Sequence, residues 1–94
     1  MNTSHHIPPE QSLIEYPCHF PIKVMGAQVE GFPAAIAHVA TQFDPSFDAA
    51  TMEQRTSRSG NYLGLTISVH VTSRAQLDEL YRTLTTHPMV KIVL

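Results

Sequence analysis

The chain has 94 residues, of which 43% are hydrophobic and 15% charged, and its formal net charge is −2. This length suits one domain with a small core, and the charge excludes the strongly basic field that would attract nucleic acid or an anionic membrane surface. No apolar run approaches the ~20 residues of a membrane span, and Cys18 is the only cysteine, which excludes an internal disulfide and a thiolate metal cluster.

The first residues predict a mobile N-terminal arm, residues 1–12, before a single domain, residues 13–94. The arm contains Pro8-Pro9 and polar residues without periodicity, and it lacks the charged start and apolar core of a signal peptide. Its paired His5 and His6 resemble part of a metal site, but no further ligand lies nearby in the sequence, so no metal is predicted. Because the sequence shows no features of a signal peptide, we expect a cytoplasmic protein.

A strand followed by a helix is predicted next. Phe20 to Gly26 alternates between apolar and polar residues, which is typical of a strand with one buried face. Residues 27–31 form a short loop, and a helix begins after it. The helix is indicated by apolar residues at helical spacing: Phe32, Ile36, Val39, Ala40 and Phe43. Asp44-Pro45 ends it.

The central strand of the chain is predicted from Tyr62 to Thr72. Its inward side carries Leu63, Leu65, Ile67, Val69 and Val71, and small polar residues occupy the other side. A polar stretch, Thr51 to Arg58, precedes it and is joined to it by the turn cluster of residues 59–61. A polar strand beside an apolar one indicates a sheet edge.

A second helix and a last strand complete the domain. Ser73 predicts the helix cap, Gln76 completes a capping box, and Pro88 ends the helix. Its buried stripe is Leu77, Leu80, Tyr81 and Leu84. Met89 to Leu94 predicts the last strand, with Val90, Ile92 and Leu94 on the buried side and Lys91 on the other.

This order of elements predicts an α+β fold, the ferredoxin-like βαββαβ plait, with a four-stranded antiparallel sheet and two helices on one face. The first and third strands are then central, and the second and fourth lie at the edges. The other sheet face stays uncovered, and we expect it to carry Lys23, Met25, Thr66, Ser68, His70, Lys91 and Val93.

Several functions of this fold leave residues that can be checked. RNA-recognition domains stack bases on aromatic residues of the third strand, where only Tyr62 is aromatic. Acylphosphatase-like enzymes need an arginine and metal carriers need cysteines in the first strand-to-helix loop, and residues 27–31 contain neither. His70 is the best single candidate for proton chemistry, but an exposed strand histidine is more often a surface residue. No catalytic residue and no cofactor is predicted.

Two loops are candidate binding sites. The first runs from Gly26 to Gly31, where glycines permit close approach and the following helix start offers N–H groups to a carboxylate; its candidate residues are Lys23, Gly26, Ala27, Gln28 and Gly31. The second is a turn that could contact an anion or a partner through Arg58, Ser59, Gly60 and Asn61. A plain connection and a plain hairpin turn are the alternatives.

Five segments carry a resemblance to a known family. They are residues 13–17, Phe20 to Gly26, Ser59 to Tyr62, the helix capped by Ser73, and His87 to Leu94. Together they resemble the YbeD-like family of small bacterial proteins of unknown function, in register over roughly residues 12–94. The resemblance implies the same plait, similar to ACT domains that bind amino acids, and no established activity. Genes of the family often lie beside those for lipoate attachment, which hints at that pathway.

The function expected from these observations is a non-enzymatic, ACT-like regulatory or metabolite-sensing module, as a homodimer that binds a small carboxylate. The alternative is a protein-interaction adaptor that binds a partner enzyme through its open sheet face, with a link to lipoate metabolism. The two differ in whether a metabolite stabilises the isolated protein.

Overall fold

The computed structural model describes residues 14–94, so the predicted arm of residues 1–12 lies outside the described residues. The strands and helices are β1 (Cys18–Ala27), α1 (Phe32–Phe43), β2 (Glu53–Thr56), β3 (Tyr62–Val71), α2 (Arg74–Thr85) and β4 (Val90–Val93). A 3₁₀ turn at Ala49–Thr51 precedes β2. The predicted β2 was longer, from Thr51 to Arg58, and the predicted β1 was shorter.

The four strands form one antiparallel sheet in the order β2-β3-β1-β4. The two long strands, β1 and β3, lie at the centre and pair along their whole length, from Cys18 opposite Val71 to Ala27 opposite Tyr62. The predicted ferredoxin-like plait is therefore confirmed, with both helices on one face and the short strands at the edges.

The core lies between that covered face and the helices. Alternate residues of β1 and β3 are buried there, as the alternation predicts, and Ile67 at the centre of β3 is fully buried. The helices contribute their apolar stripes, namely Phe32, Ile36, Val39 and Ala40 from α1 and Leu77, Leu80 and Leu84 from α2.

Hydrogen bonds of Gln76 link the two helices. The Ser73 side chain caps α2 by accepting from the Gln76 N–H at 3.1 Å. The Gln76 Oε1 accepts from the Thr72 N–H at 2.6 Å, one residue earlier than a standard capping box requires. Its Nε2 donates to the Phe43 carbonyl oxygen at 3.0 Å, so one side chain serves the beginning of α2 and the end of α1.

Because β4 contains a bulge, the prediction of which sheet face its side chains occupy is partly wrong. Ile92 pairs with Met25, but Val90 pairs with Gly26, so Lys91 is an extra residue in β4. Directly opposite residues share a face, and the inward Val24 is opposite Val93. Val93 therefore packs against the core, where an outward side chain was predicted. Two residues predicted to be buried lie on the open face instead, Ile92 and Leu94.

Candidate functional site

The predicted glycine loop begins with a residue that serves packing. Gly26 faces the core, and a Cβ built on it would overlap the Met89 carbonyl oxygen and come within 2.7 Å of the Phe32 ring. Only a hydrogen atom fits in that place. The close packing of β1 against α1 and against Met89, just before β4, therefore explains why position 26 is a glycine. No ligand is needed to explain it.

Three N–H groups of the same loop have acceptors within the protein. The Gln28 N–H donates to Asn61 O at 2.9 Å, the Val29 N–H to Ala27 O at 2.9 Å and the Phe32 N–H to Val29 O at 3.3 Å. Gly31 has a φ of 90°, which a glycine adopts without strain, and it begins α1 without a side-chain cap. These internal bonds leave fewer donors for a carboxylate than the sequence indicated.

The second predicted site is a turn closed by its own serines. The Gly60 N–H donates to Ser57 O at 2.9 Å, the Asn61 N–H to Ser59 Oγ at 3.2 Å and the Tyr62 N–H to Ser57 Oγ at 3.1 Å. Ser57, which is not among the predicted site residues, thus caps the turn, and Arg58 is exposed beside it. The bond from Gln28 to Asn61 places both predicted sites at the same end of the sheet.

The open face of the sheet carries most of the large hydrophobic side chains that are exposed. Five large hydrophobic side chains are exposed among residues 14–94, and four of them line one groove on this face. Those four, with their exposed fractions, are Met25 (38%), Tyr62 (42%), Ile92 (50%) and Leu94 (72%). The fifth, Val29, is in the glycine loop. Such clustering is typical of an interaction surface.

The groove has a volume of about 600 Å³ and crosses all four strands. Its side chains are arranged in two cross-strand rows. One row runs Arg55, Gly64, Met25, Ile92, and the next runs Glu53, Thr66, Lys23, Leu94. Lys23 and Leu94 are joined by two backbone hydrogen bonds of 3.1 and 2.8 Å, which extends the sheet to Leu94.

The groove also contains unpaired charges. Within residues 14–94 the ion pairs are Arg74 with Asp78 and Arg82 with Glu79, both on the exposed side of α2. The cations of the groove, Lys23 and Arg55, and its one carboxylate side chain, Glu53, therefore have no ion-pair partner in the described chain. Of the residues predicted for the loop site, Lys23 is the one that lines this groove.

A polar cluster lies beyond the groove, at the other end of the open face. The Asp44 carboxylate accepts from the His70 backbone N–H at 3.0 Å, and also from the Ser46 N–H at 3.0 Å and the Ser46 Oγ at 2.6 Å. Burial raises the pKa of Asp44, but these hydrogen bonds and the His70 charge outweigh it and lower the pKa overall.

The contacts of this cluster indicate a structural role. The short β2 ends its pairing at Thr66, and Asp44 supplies an acceptor to β3 beyond that point. His70 lies beside His19, with ring centroids 5.1 Å apart, but Asp44 bonds its backbone and not its ring. No group of three or more His, Cys, Asp or Glu side chains in the described residues could hold a metal ion.

Comparison with known proteins shows the family. A family model described as "Protein of unknown function (DUF493)" matches residues 11–94. The chain belongs to this family. Among DUF493 relatives, the "UPF0250 protein" of Leptothrix cholodnii is 67% identical over 88 residues, covering 94% of this chain and 97% of the relative. A UPF0250 protein of Bordetella pertussis is 62% identical over 90 residues, covering 96% and 99%. The resemblance to the YbeD-like family is thereby confirmed.

The solution structure of protein HP0495 from H. pylori is similar in fold, with a TM-score of 0.72 over 97% of this chain and 98% of that one. At 17% identity it supports the architecture alone. No activity is named for the DUF493 family or for these relatives. None of the helices in residues 14–94 is long and apolar enough to cross a bilayer.

Proposed function

We propose that this DUF493 domain is a non-enzymatic adaptor that binds a partner protein on the open face of its sheet. The observation that carries the proposal is the concentration of exposed apolar side chains in one groove, on a face that neither helix of residues 14–94 covers. An exposed cluster of this kind costs solubility unless a partner covers it. Lys23 and Arg55 in this groove have no ion-pair partner within residues 14–94, and their charges add a means of selecting the partner.

The geometry supports this adaptor function more than an ACT-like sensor with its site in the glycine loop. The loop uses three of its N–H groups internally, and Gly26 is packed beneath Phe32. Sites for small molecules usually enclose most of the ligand. The groove is instead an open concavity that spans four strands, so a small molecule in it would stay exposed on one side, and we favour a protein segment as its occupant.

A second copy of the chain is the other proposed occupant of this face. A homodimer would bury Met25, Ile92 and Leu94 against their symmetry mates. Light scattering distinguishes the two proposals, because a homodimer has twice the 10.4 kDa mass of the chain and an adaptor without its partner has that mass itself.

Affinity capture with matched variants tests the adaptor function. The full chain and three variants, Met25→Asp, Ile92→Asp and Ala75→Asp, are used as baits in extracts of cells that contain the natural protein. Ala75 is exposed in the first turn of α2, so its variant adds the same charge on the helical side. We expect one protein to be captured by the wild type and Ala75→Asp and lost from both sheet-face variants.

Purified partner and domain must then give the same order of affinities in a binary titration. A partner that binds Met25→Asp and Ile92→Asp as tightly as the wild type contradicts the proposal. So does a partner that is lost only from Ala75→Asp, since that result places the binding surface on the helices.

A further inference from the structure

Gly64 is the one glycine of the chain whose backbone and packing do not require a glycine. The chain has four glycines. Gly26 has no space for a Cβ, while Gly31 and Gly60 have positive φ angles of 90° and 82°. A Cβ on Gly64 would meet only the Arg55 carbonyl oxygen, at 3.6 Å, which is ordinary van der Waals contact.

A glycine in the middle of a long strand weakens the strand, because it adds backbone freedom to the unfolded chain and packs no side chain. Gly64 lies in the ten-residue β3, at the floor of the groove. Its missing side chain leaves a space on the open face. We call this space, bounded by Arg55, Lys23, Thr66 and Tyr62, the Gly64 seat.

Two cations border the Gly64 seat. Arg55 is directly opposite Gly64, and directly opposite residues have Cβ positions about 4.5–5.5 Å apart. Lys23 is opposite Thr66 and so is the diagonal neighbour of Gly64, at about 7–8 Å. Both long side chains can therefore reach a group that rests on Gly64, and neither has an ion-pair partner within residues 14–94.

Polar and apolar groups complete the surroundings. Tyr62 and Thr66 precede and follow Gly64 on the same side of β3, and each has a hydroxyl group. Glu53 lies opposite Thr66 and places a negative charge in the same cross-strand row as Lys23. Met25 of β1 is directly opposite Gly64, and Ile92 of β4 is directly opposite Met25. An apolar surface therefore begins directly beside the cations.

We propose that the Gly64 seat receives the carboxylate of an Asp or Glu side chain of the partner protein, and that Met25 and Ile92 contact an apolar side chain next to it in the partner. This inference rests on the proposed adaptor function and specifies its partner segment. Arg55 and Lys23 bind the carboxylate, and the glycine allows it to approach the sheet.

Matched peptides test this inference by NMR on the full chain with ¹⁵N labelling. The probes are N-acetyl-Leu-Glu-Leu-amide and N-acetyl-Leu-Gln-Leu-amide, which differ in one carboxylate. We expect the Glu peptide to shift the amide signals of Gly64, Thr66 and Met25 and to bind about tenfold more tightly than the Gln peptide, as two exposed ion pairs can supply. The preference should disappear in the double variant Lys23→Met/Arg55→Met.

Gly64→Val provides the steric control. Its side chain fills the seat, so we expect the Glu peptide to lose its binding while the melting temperature stays at or above that of the wild type. A Gly64→Val variant that binds the Glu peptide normally overturns the inference. So do equal affinities for the two peptides on the open face, although that result leaves the adaptor function intact.

Sodium hexanoate is the third probe, because a free small acid has the same carboxylate with an apolar chain. If hexanoate shifts the same amides and binds more tightly than the Glu peptide, the seat serves a small molecule and the assignment to a protein segment is overturned. Shifts confined to the helices, or no shifts with millimolar Glu peptide, also overturn the inference. The capture experiment with Met25→Asp decides separately whether the adaptor function stands.

Discussion

Replacing each of two strand glycines by alanine should change stability in opposite directions. Gly26 and Gly64 lie in neighbouring central strands, one facing the core and the other the open face. An added methyl group at Gly26 overlaps the Met89 carbonyl oxygen and the ring of the fully buried Phe32. The same methyl group at Gly64 has free space above it and one ordinary contact, to Arg55 O at 3.6 Å.

The magnitudes follow from these contacts. Overpacking a core typically costs about 1–3 kcal/mol, and Gly26→Ala should be at the upper end because a backbone oxygen must move. For a domain of this size that lowers the melting temperature by roughly 10–20 °C. Gly64→Ala should raise stability by about 0.4–1 kcal/mol, because it restricts the unfolded chain. The corresponding rise in melting temperature is roughly 2–8 °C.

Thermal unfolding followed by circular dichroism measures both variants against the wild type. If Gly64→Ala destabilises the domain as much as Gly26→Ala does, then β3 needs its glycine for structural reasons. The Gly64 seat would then not be an open functional space. A neutral Gly26→Ala would refute the packing described for the start of the glycine loop.

Two substitutions and an acid titration test the core and the Asp44 cluster. Ile67→Asp should unfold the domain, because burying an unpaired carboxylate costs several kcal/mol against a total stability of roughly 5–15 kcal/mol; an unchanged denaturant midpoint would contradict the assigned inner face. Asp44→Asn should cost about 1–3 kcal/mol in denaturant unfolding, because a substituted amide group cannot accept from every donor that Asp44 serves; a loss below that range would show that the cluster is dispensable. In the wild type, the folded state lowers the pKa of Asp44 below its ordinary value of 3.8, so its contribution is complete above that pH and is lost as pH falls through the folded-state value. Acid titrations of unfolding should therefore show a shallower loss of stability in Asp44→Asn, and identical acid slopes would refute this linkage.

The central strands could be predicted closely because their alternation has one clear inner side. In β3 the inner residues are large and apolar and the outer ones are small or polar, so the burial of Ile67 follows from the pattern. Residues 90–94 have apolar side chains on both sides of the alternation, and the bulge at Lys91 reverses the facing of the residues after it. A period-two pattern carries no signal for such an extra residue.

The candidate site was harder to predict because glycines look alike in a sequence. The pattern around Gly26 fits either a ligand-binding loop or a plain connection and does not reveal that Gly26 is packed, whereas Gly64 is, in the sequence, one small residue among others on the open face. The difference depends on Met89 and Phe32, which contact Gly26 only in the folded chain. Arg55 precedes the hairpin turn in the sequence, but its place opposite Gly64 follows only from the strand register.

Site-specific photo-crosslinking in living cells tests the adaptor function most directly. A photoreactive amino acid replaces Met25 on the open face in one strain and Ala75 on α2 in another, each at the natural expression level. The adaptor function predicts a crosslinked adduct with one other protein from position 25 and none from position 75. Adducts from Ala75 alone, or an adduct from Met25 composed of two copies of this chain, would contradict it.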